Sequence, residues 1–364
     1  MKKNNLTLNN ILSCATDGAP AMSGKYKGFC GLLKKECPSI FTIHCVVHRQ
    51  HLVAKKLSDD LNNTLTIVIK VVNLIKSKQH ALNTRLFKEL CNENEEDFET
   101  LVMHTKVRWL SKGNCLIRFW NLFSSIVQFL EQNHHADLAV SVTENKHSIA
   151  YLTDIFTKFN FANKELQGDN VTLITTKSTL KALSAQFKLF KSRLGRKDYS
   201  DFPCLKTQEN VTDEELIIFC NHLENVVVDM GERFKNLFDM VVEDWVFNPF
   251  IDVEEVDSDH QNDLILLQND EELKGRFKKS YQDFWLQEKL HARYPALWSK
   301  VQPYFVAFPT SYLVERGFSA VSLLLTKQRQ KLQLNKRGDL RLFLTKITPS
   351  IKMLVENHQA QGSH

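Results

Sequence analysis

The sequence predicts an α/β chain that is mostly helical. A strand–helix–strand pattern occupies residues 11–47, and apolar residues recur at helical intervals through most of the remaining chain. The composition, 43% hydrophobic and 24% charged over 364 residues, is that of an ordinary folded protein.

Residues 11–16 form a short, mainly apolar run that ends at Asp17-Gly18, which predicts a buried strand and a turn. Residues 24–37 predict a short helix with Phe29, Leu32 and Leu33 on one side and Pro38 as the stop. Residues 40–47 are rich in β-branched side chains and predict a second strand, parallel to the first. Helical stripes come next, at 61–75, 115–130, 151–166 and 180–194. A further stripe contains Val226, Met230, Phe234, Leu237, Val241 and Trp245, and Pro249 stops it. Residues 252–263 are acidic and free of aromatics, which predicts a loop. Three prolines in 290–309 predict a break, and a last amphipathic helix starts at Tyr312, with an interruption near Gly338.

No apolar run is long enough for a bilayer; the best, 65–75, is interrupted by Lys70. Eight scattered cysteines without a Cys-x-x-Cys pair predict reduced thiols rather than a disulfide framework. Charge is segregated, although the net value is only +5. Residues 236–273 hold twelve acids and no Lys or Arg, whereas 274–352 hold sixteen Lys and Arg against four acids. A basic C-terminal third suits a polyanion, and equally a solvated helical surface or a segment that packs on the acidic one.

Two carboxylates stand out. Asp17 ends the first predicted strand, where the backbone is rigid and Gly18 lets the chain turn away. Phosphodiester cleavage often uses two divalent metals about 4 Å apart, held by carboxylates that converge from different elements. Glu315 opens the last helix between Val314 and Arg316, where a Glu also complements the helix dipole. Asp-Gly is equally an ordinary turn signal.

Several separated blocks, taken in order, resemble the hAT superfamily of DNA transposases, of the Buster type, and its domesticated relatives. Cys14-Ala15-Thr16-Asp17-Gly18-Ala19-Pro20-Ala21-Met22 is similar to the strand that carries the family's second aspartate. Pro309-Thr310-Ser311-Tyr312-Leu313-Val314-Glu315-Arg316-Gly317-Phe318-Ser319 is similar to the block with the catalytic glutamate, which opens the hAT dimerisation region. Lys336-Arg337-Gly338-Asp339-Leu340-Arg341-Leu342 is typical of the same group. The resemblance covers nearly the whole chain. It implies an incomplete RNase H-like core interrupted by a large all-α insertion. The partial core would be residues 1–132, the insertion 133–293, and the return to the core with the dimerisation region 294–364.

On this resemblance Asp17 and Glu315 are vestigial metal-ligand positions and candidate Mg²⁺ ligands. The family's first aspartate belongs upstream of Asp17, where residues 1–10 carry no acid, and the BED zinc finger is not matched. The expectation is a truncated, transposase-derived protein without strand cleavage and without a cofactor, Mg²⁺ entering only if the first aspartate is supplied. The unpaired side of residues 11–15 would then be an exposed sheet edge. Two alternatives stand beside this reading: a fragment of an active transposase, and an interaction module that ignores DNA. The expected partners are a second copy or a higher oligomer, and DNA. No membrane or small-molecule substrate is expected, and the expected location is the nucleus, with the cytoplasm as the alternative.

The resemblance also marks DNA-facing positions. Arg108-Trp109 matches the family's Arg-Trp block, whose flat ring suits stacking on bases; a core Trp is the other reading. Cys45 and His48 form the family's Cys-x-x-His element near the carboxylates. A zinc site with two distant ligands, or a buried Cys beside a hydrogen-bonded His, would use the same residues. Arg316 adjoins Glu315 and completes the set.

Overall fold

The computed structural model describes residues 7–24, 26–76, 81–103, 110–168, 170–277, 280–325, 338–345 and 348–356. They are mostly helical, and the chain divides into two units, Met1–Thr310 and Ser311–His364.

In the first unit β1 (Ser13–Thr16) and β2 (Phe41–His44) pair in parallel, with Ser13 opposite Phe41 and Thr16 opposite His44. The Phe29–Glu36 helix connects them, preceded by one separate turn, Pro20–Ser23. Cys37 caps that helix just before Pro38, where proline disfavours helical backbone in its predecessor. Among the described residues the sheet has these two strands.

The expected second strand was too long. It ends at His44, and Val46–Lys55 is a helix. Cys45 N donates to Thr16 O at 2.7 Å, which completes the sheet, and Val46 N turns away to Pro309 O. Val46, Val47, Val53 and Ala54 then face the core from a helix, so packing overrides β-branched propensity.

The main apolar core runs continuously from Ile43 to Leu237 and includes Ala307. The helices Asp59–Lys76, Lys146–Glu165, Leu173–Leu194 and Asp213–Arg233 line it; the stripe expected to run on to Trp245 instead breaks after Arg233 into the short turns Lys235–Phe238 and Asp244–Phe247, with Val241 exposed between them. The 115–130 stripe is two helices, Leu110–Asn121 and Phe123–Gln132, because Leu122 leaves helical geometry at φ −107°, ψ 19°. A smaller core gathers Trp245, Val246, Leu264, Leu267, Phe284, Trp285, Leu297 and Val301.

In the part of the chain that builds this smaller core, one more expectation fails and another holds in part. The acidic stretch 252–263 is not a loop: a 3-10 turn at Val253–Glu255 leads into the Ser258–Gln268 helix. Its acids sit at N-terminal positions, where Asp252 accepts from Glu254 N and Asp259 lies in the first turn, and Leu264 and Leu267 anchor the inner face. The prolines of 290–309 break the helical pattern at Tyr294, before Pro295, and again at 307–311 around Pro309, but not between. Pro295 opens the Pro295–Val306 helix, a position that lacks an N–H partner in any case, and Pro303 sits within it.

In the second unit the Tyr312–Leu324 helix buries only Ala320 among its residues, and it packs on the Asp339–Leu344 helix, as Gly317 beside Leu344 shows. Among the described residues no helix is long and apolar enough to cross a membrane.

Candidate functional site at the end of the parallel strands

Parallel strands end with their carboxyl ends on the same side, and open α/β sheets bind ligands there. At this end Asp17 leaves β1 with an exposed carboxylate. Its Oδ1 accepts from Ala19 N at 3.1 Å, which folds the chain back tightly. Gly18 adopts φ +77°, a left-handed conformation natural to glycine. Ser23 Oγ donates to Gly18 O at 2.9 Å and to Ala19 O at 3.1 Å, so the turn is tied to the short helix after it.

Glycine is required here for a second reason. A Cβ on Gly18 would lie 2.2 Å from His44 Cε1 and 2.3 Å from His44 Nε2. The last residue of β2 therefore lays its ring against the turn that presents Asp17. His44 also faces His48, with ring centroids 5.3 Å apart. Burial, then the charges of Arg49 and His48, push the His44 pKa below its ordinary value, against the pull of Asp17. His44 is thus a neutral imidazole near pH 7, and its Nε2 is buried without a hydrogen-bond partner.

Arg49 extends this edge into the core. It is 5% exposed, and its Nη1 donates to Arg233 O at 2.6 Å and to Asn236 Oδ1 at 2.7 Å, with the guanidinium 4.9 Å from the Phe234 ring. Burial lowers its pKa to about 10, so it keeps its charge at neutral pH. Arg49 thereby ties the Val46–Lys55 helix to the end of the Asp213–Arg233 helix. Its role was not legible in the sequence, where it is one basic residue in a run of histidines; a cation on the buried side of an amphipathic helix is the one available signal.

Of the other expected site residues, Cys45 and His48 adjoin His44 at this strand end. Cys45 is fully buried, and His48 is partly exposed on the first turn of its helix. Arg108 and Trp109 lie outside the described residues. Glu315 and Arg316 belong to the second unit and Asp17 to the first. Glu315 is exposed, and its Oε1 accepts from Ser311 Oγ at 3.0 Å. Arg316 Nη2 reaches Leu344 O at 3.5 Å. Among the described residues no three His, Cys, Asp or Glu side chains are grouped to hold a metal ion. Chemically, the strand end offers one exposed carboxylate beside a neutral imidazole, able to accept hydrogen bonds or to contribute one oxygen ligand to a cation.

The helical part of this arrangement has known counterparts. A family model described as the FAM200/GTF2IRD2 helical domain matches residues 44–195. That span starts at the last residue of β2 and closes at Gly195, the cap of the Leu173–Leu194 helix. General transcription factor II-I repeat domain-containing protein 2 of Bos taurus is 26% identical over 345 residues, covering 92% of this chain. The chain spans 35% of the length of that relative. What this chain shares with both is sequence similarity through the helical core that begins at the strand end.

Proposed function

We propose that this chain is a transposase-derived protein of hAT type that self-associates and binds DNA in the nucleus but does not cut DNA alone. The observation that carries the reading is the position of Asp17, an exposed carboxylate at the carboxyl end of a parallel strand on a turn that demands glycine. That is where an RNase H-like core would hold its second aspartate. The similarity to a relative named as a transcription factor repeat protein supports a DNA-linked role. Asp17 and Glu315 then stand at two of the metal-ligand positions of the hAT superfamily. Arg108, Trp109, Cys45, His48 and Arg316 are the DNA-binding positions in this reading.

Incubation of the chain with Mg²⁺ or Mn²⁺ and nicked or hairpin-ended DNA is expected to give no new strand breaks. Cleavage that disappears in both Asp17→Asn and Glu315→Gln would overturn the inactive reading. It would favour a second one, in which the chain is part of a longer active transposase. The 35% coverage of the relative gives that reading its footing.

Self-association is assigned to the second unit. Leu313, Val314 and Phe318 of the Tyr312–Leu324 helix are exposed within about 140° of its circumference, a clustered apolar surface of the kind that marks an interaction site. Light scattering is expected to show a dimer or larger species at micromolar concentration. Phe318→Asp should shift it toward monomer without unfolding, because Phe318 is 68% exposed. A strict monomer in the unmodified chain would refute the assignment.

A further inference from the structure

The Leu173–Leu194 helix carries five basic residues, Lys177, Lys181, Lys188, Lys191 and Arg193, and no acid. At 100° and 1.5 Å per residue, the four lysines fall within an arc of roughly 80° and along about 21 Å of axis. Ser184 lies in the same arc and Ser192 on its border, both small enough for a backbone to approach. The opposite flank of the buried face carries Arg193, which is held by Asp201 at 2.8 Å.

The four lysines are not equally engaged. Lys191 pairs with Glu224 across the neighbouring helix, and Lys177 donates to Met240 O. Burial, then the charge of Lys181, lowers the pKa of Lys177, so these two ammonium groups lie close enough to repel. Lys181 and Lys188 are exposed, with no carboxylate within ion-pair distance among the described residues. Like charges four residues apart destabilise a free helix, and Lys181 and Lys188 gain no ion pair among the described residues to offset this.

We propose that the Lys177–Lys181–Lys188 face of this helix binds the phosphodiester backbone of DNA. The inference rests on the DNA-binding reading above and assigns it a surface. Lysine is a point-charge ligand for phosphate, and a row of lysines can neutralise successive phosphates and release their counterions. A protein partner fits less well. Protein interfaces are depleted in lysine and anchored by aromatic residues, and the arc contains no aromatic side chain. The contact would be independent of base sequence, because nothing in the arc reads a base edge.

The test is fluorescence anisotropy of a short random-sequence duplex across a KCl series, with the full chain. Lys181→Gln with Lys188→Gln removes two exposed charges, so the melting temperature should hold. The slope of log affinity against log salt should fall by about 1.8 and the affinity at low salt roughly tenfold. A control, Lys70→Gln with Lys206→Gln, removes the same charge from two other exposed positions and should leave the slope unchanged. Equal slopes in the unmodified chain and the Lys181/Lys188 variant would overturn this inference and leave the broader reading intact. Equal losses in the control and the variant would also overturn it, since net charge alone would then account for binding. No binding by the unmodified chain would sink both.

Discussion

Gly18→Ala is expected to destabilise the chain by about 2–5 kcal/mol, the sum of left-handed strain and steric overpacking. The two causes can be separated. Gly338 has nearly the same φ, +76° against +77°, but a Cβ there would meet nothing within 4 Å among the described residues. Gly338→Ala therefore reports strain alone, about 1–2 kcal/mol. At Gly18 the methyl group would overlap the whole His44 ring, at 2.2 to 2.6 Å from three of its atoms. That ring sits at the end of a paired strand and beside His48, so the methyl group fits only if the ring rotates out of its place against the turn. His44→Ala should recover the steric part, so the double variant should be more stable than additivity predicts. Chemical denaturation of the four variants measures this. A Gly18→Ala cost no larger than that of Gly338→Ala would show that His44 does not occupy the space assigned to it.

The same turn shows what could be read in advance. Asp17-Gly18 after an apolar run announced a strand end and a turn, because only local chemistry was needed. The parallel partner was legible from the length of the connection. Where β2 stops was not legible. Val46 and Val47 have the composition of a strand, and only the long-range bond from Val46 N to Pro309 O and the core beneath them make the segment helical. The Ser258–Gln268 helix misled for the converse reason. Its acids give it a loop's composition, but they cluster where a helix N-terminus favours them, and Leu264 and Leu267 are enough to dock it.

Of the candidate site, the sequence named the carboxylate and missed its setting. Asp17 belongs to a motif, whereas the contacts of Arg49 come from Arg233 and Asn236, more than 180 positions away along the chain. Buried polar partners of that kind leave no periodic trace. They are selected pair by pair, after the apolar pattern has already brought the helices together. The same holds for the pair formed by Tyr151 and His222, deep between the Lys146–Glu165 and Asp213–Arg233 helices.

His222 should make the fold acid-sensitive. It is 2% exposed; its Nδ1 meets Tyr151 Oη at 2.8 Å, and its Nε2 is buried with no partner. A proton on Nε2 would place an N–H with no acceptor, and a positive charge, in an apolar core that includes the stacked rings of Tyr151 and Phe219. Burial accordingly pushes the His222 pKa from 6.5 down to about 4. In the folded chain the group stays neutral to lower pH than in the unfolded chain. Between pH 6.5 and 4 the unfolded state therefore binds more protons, and stability falls as pH falls through that window. At about 1.4 kcal/mol per unit, the full loss is about 3 kcal/mol, complete below pH 4 and absent above pH 7. His222→Gln removes the titration. Its stability at pH 7 should be lower, because the core loses a fitted ring, but its decline toward pH 4 should be shallower by about 3 kcal/mol. Urea denaturation of both proteins at a series of pH values gives the comparison directly. If the two stability curves ran parallel from neutral pH to pH 4, His222 would not be the buried neutral imidazole that its surroundings require.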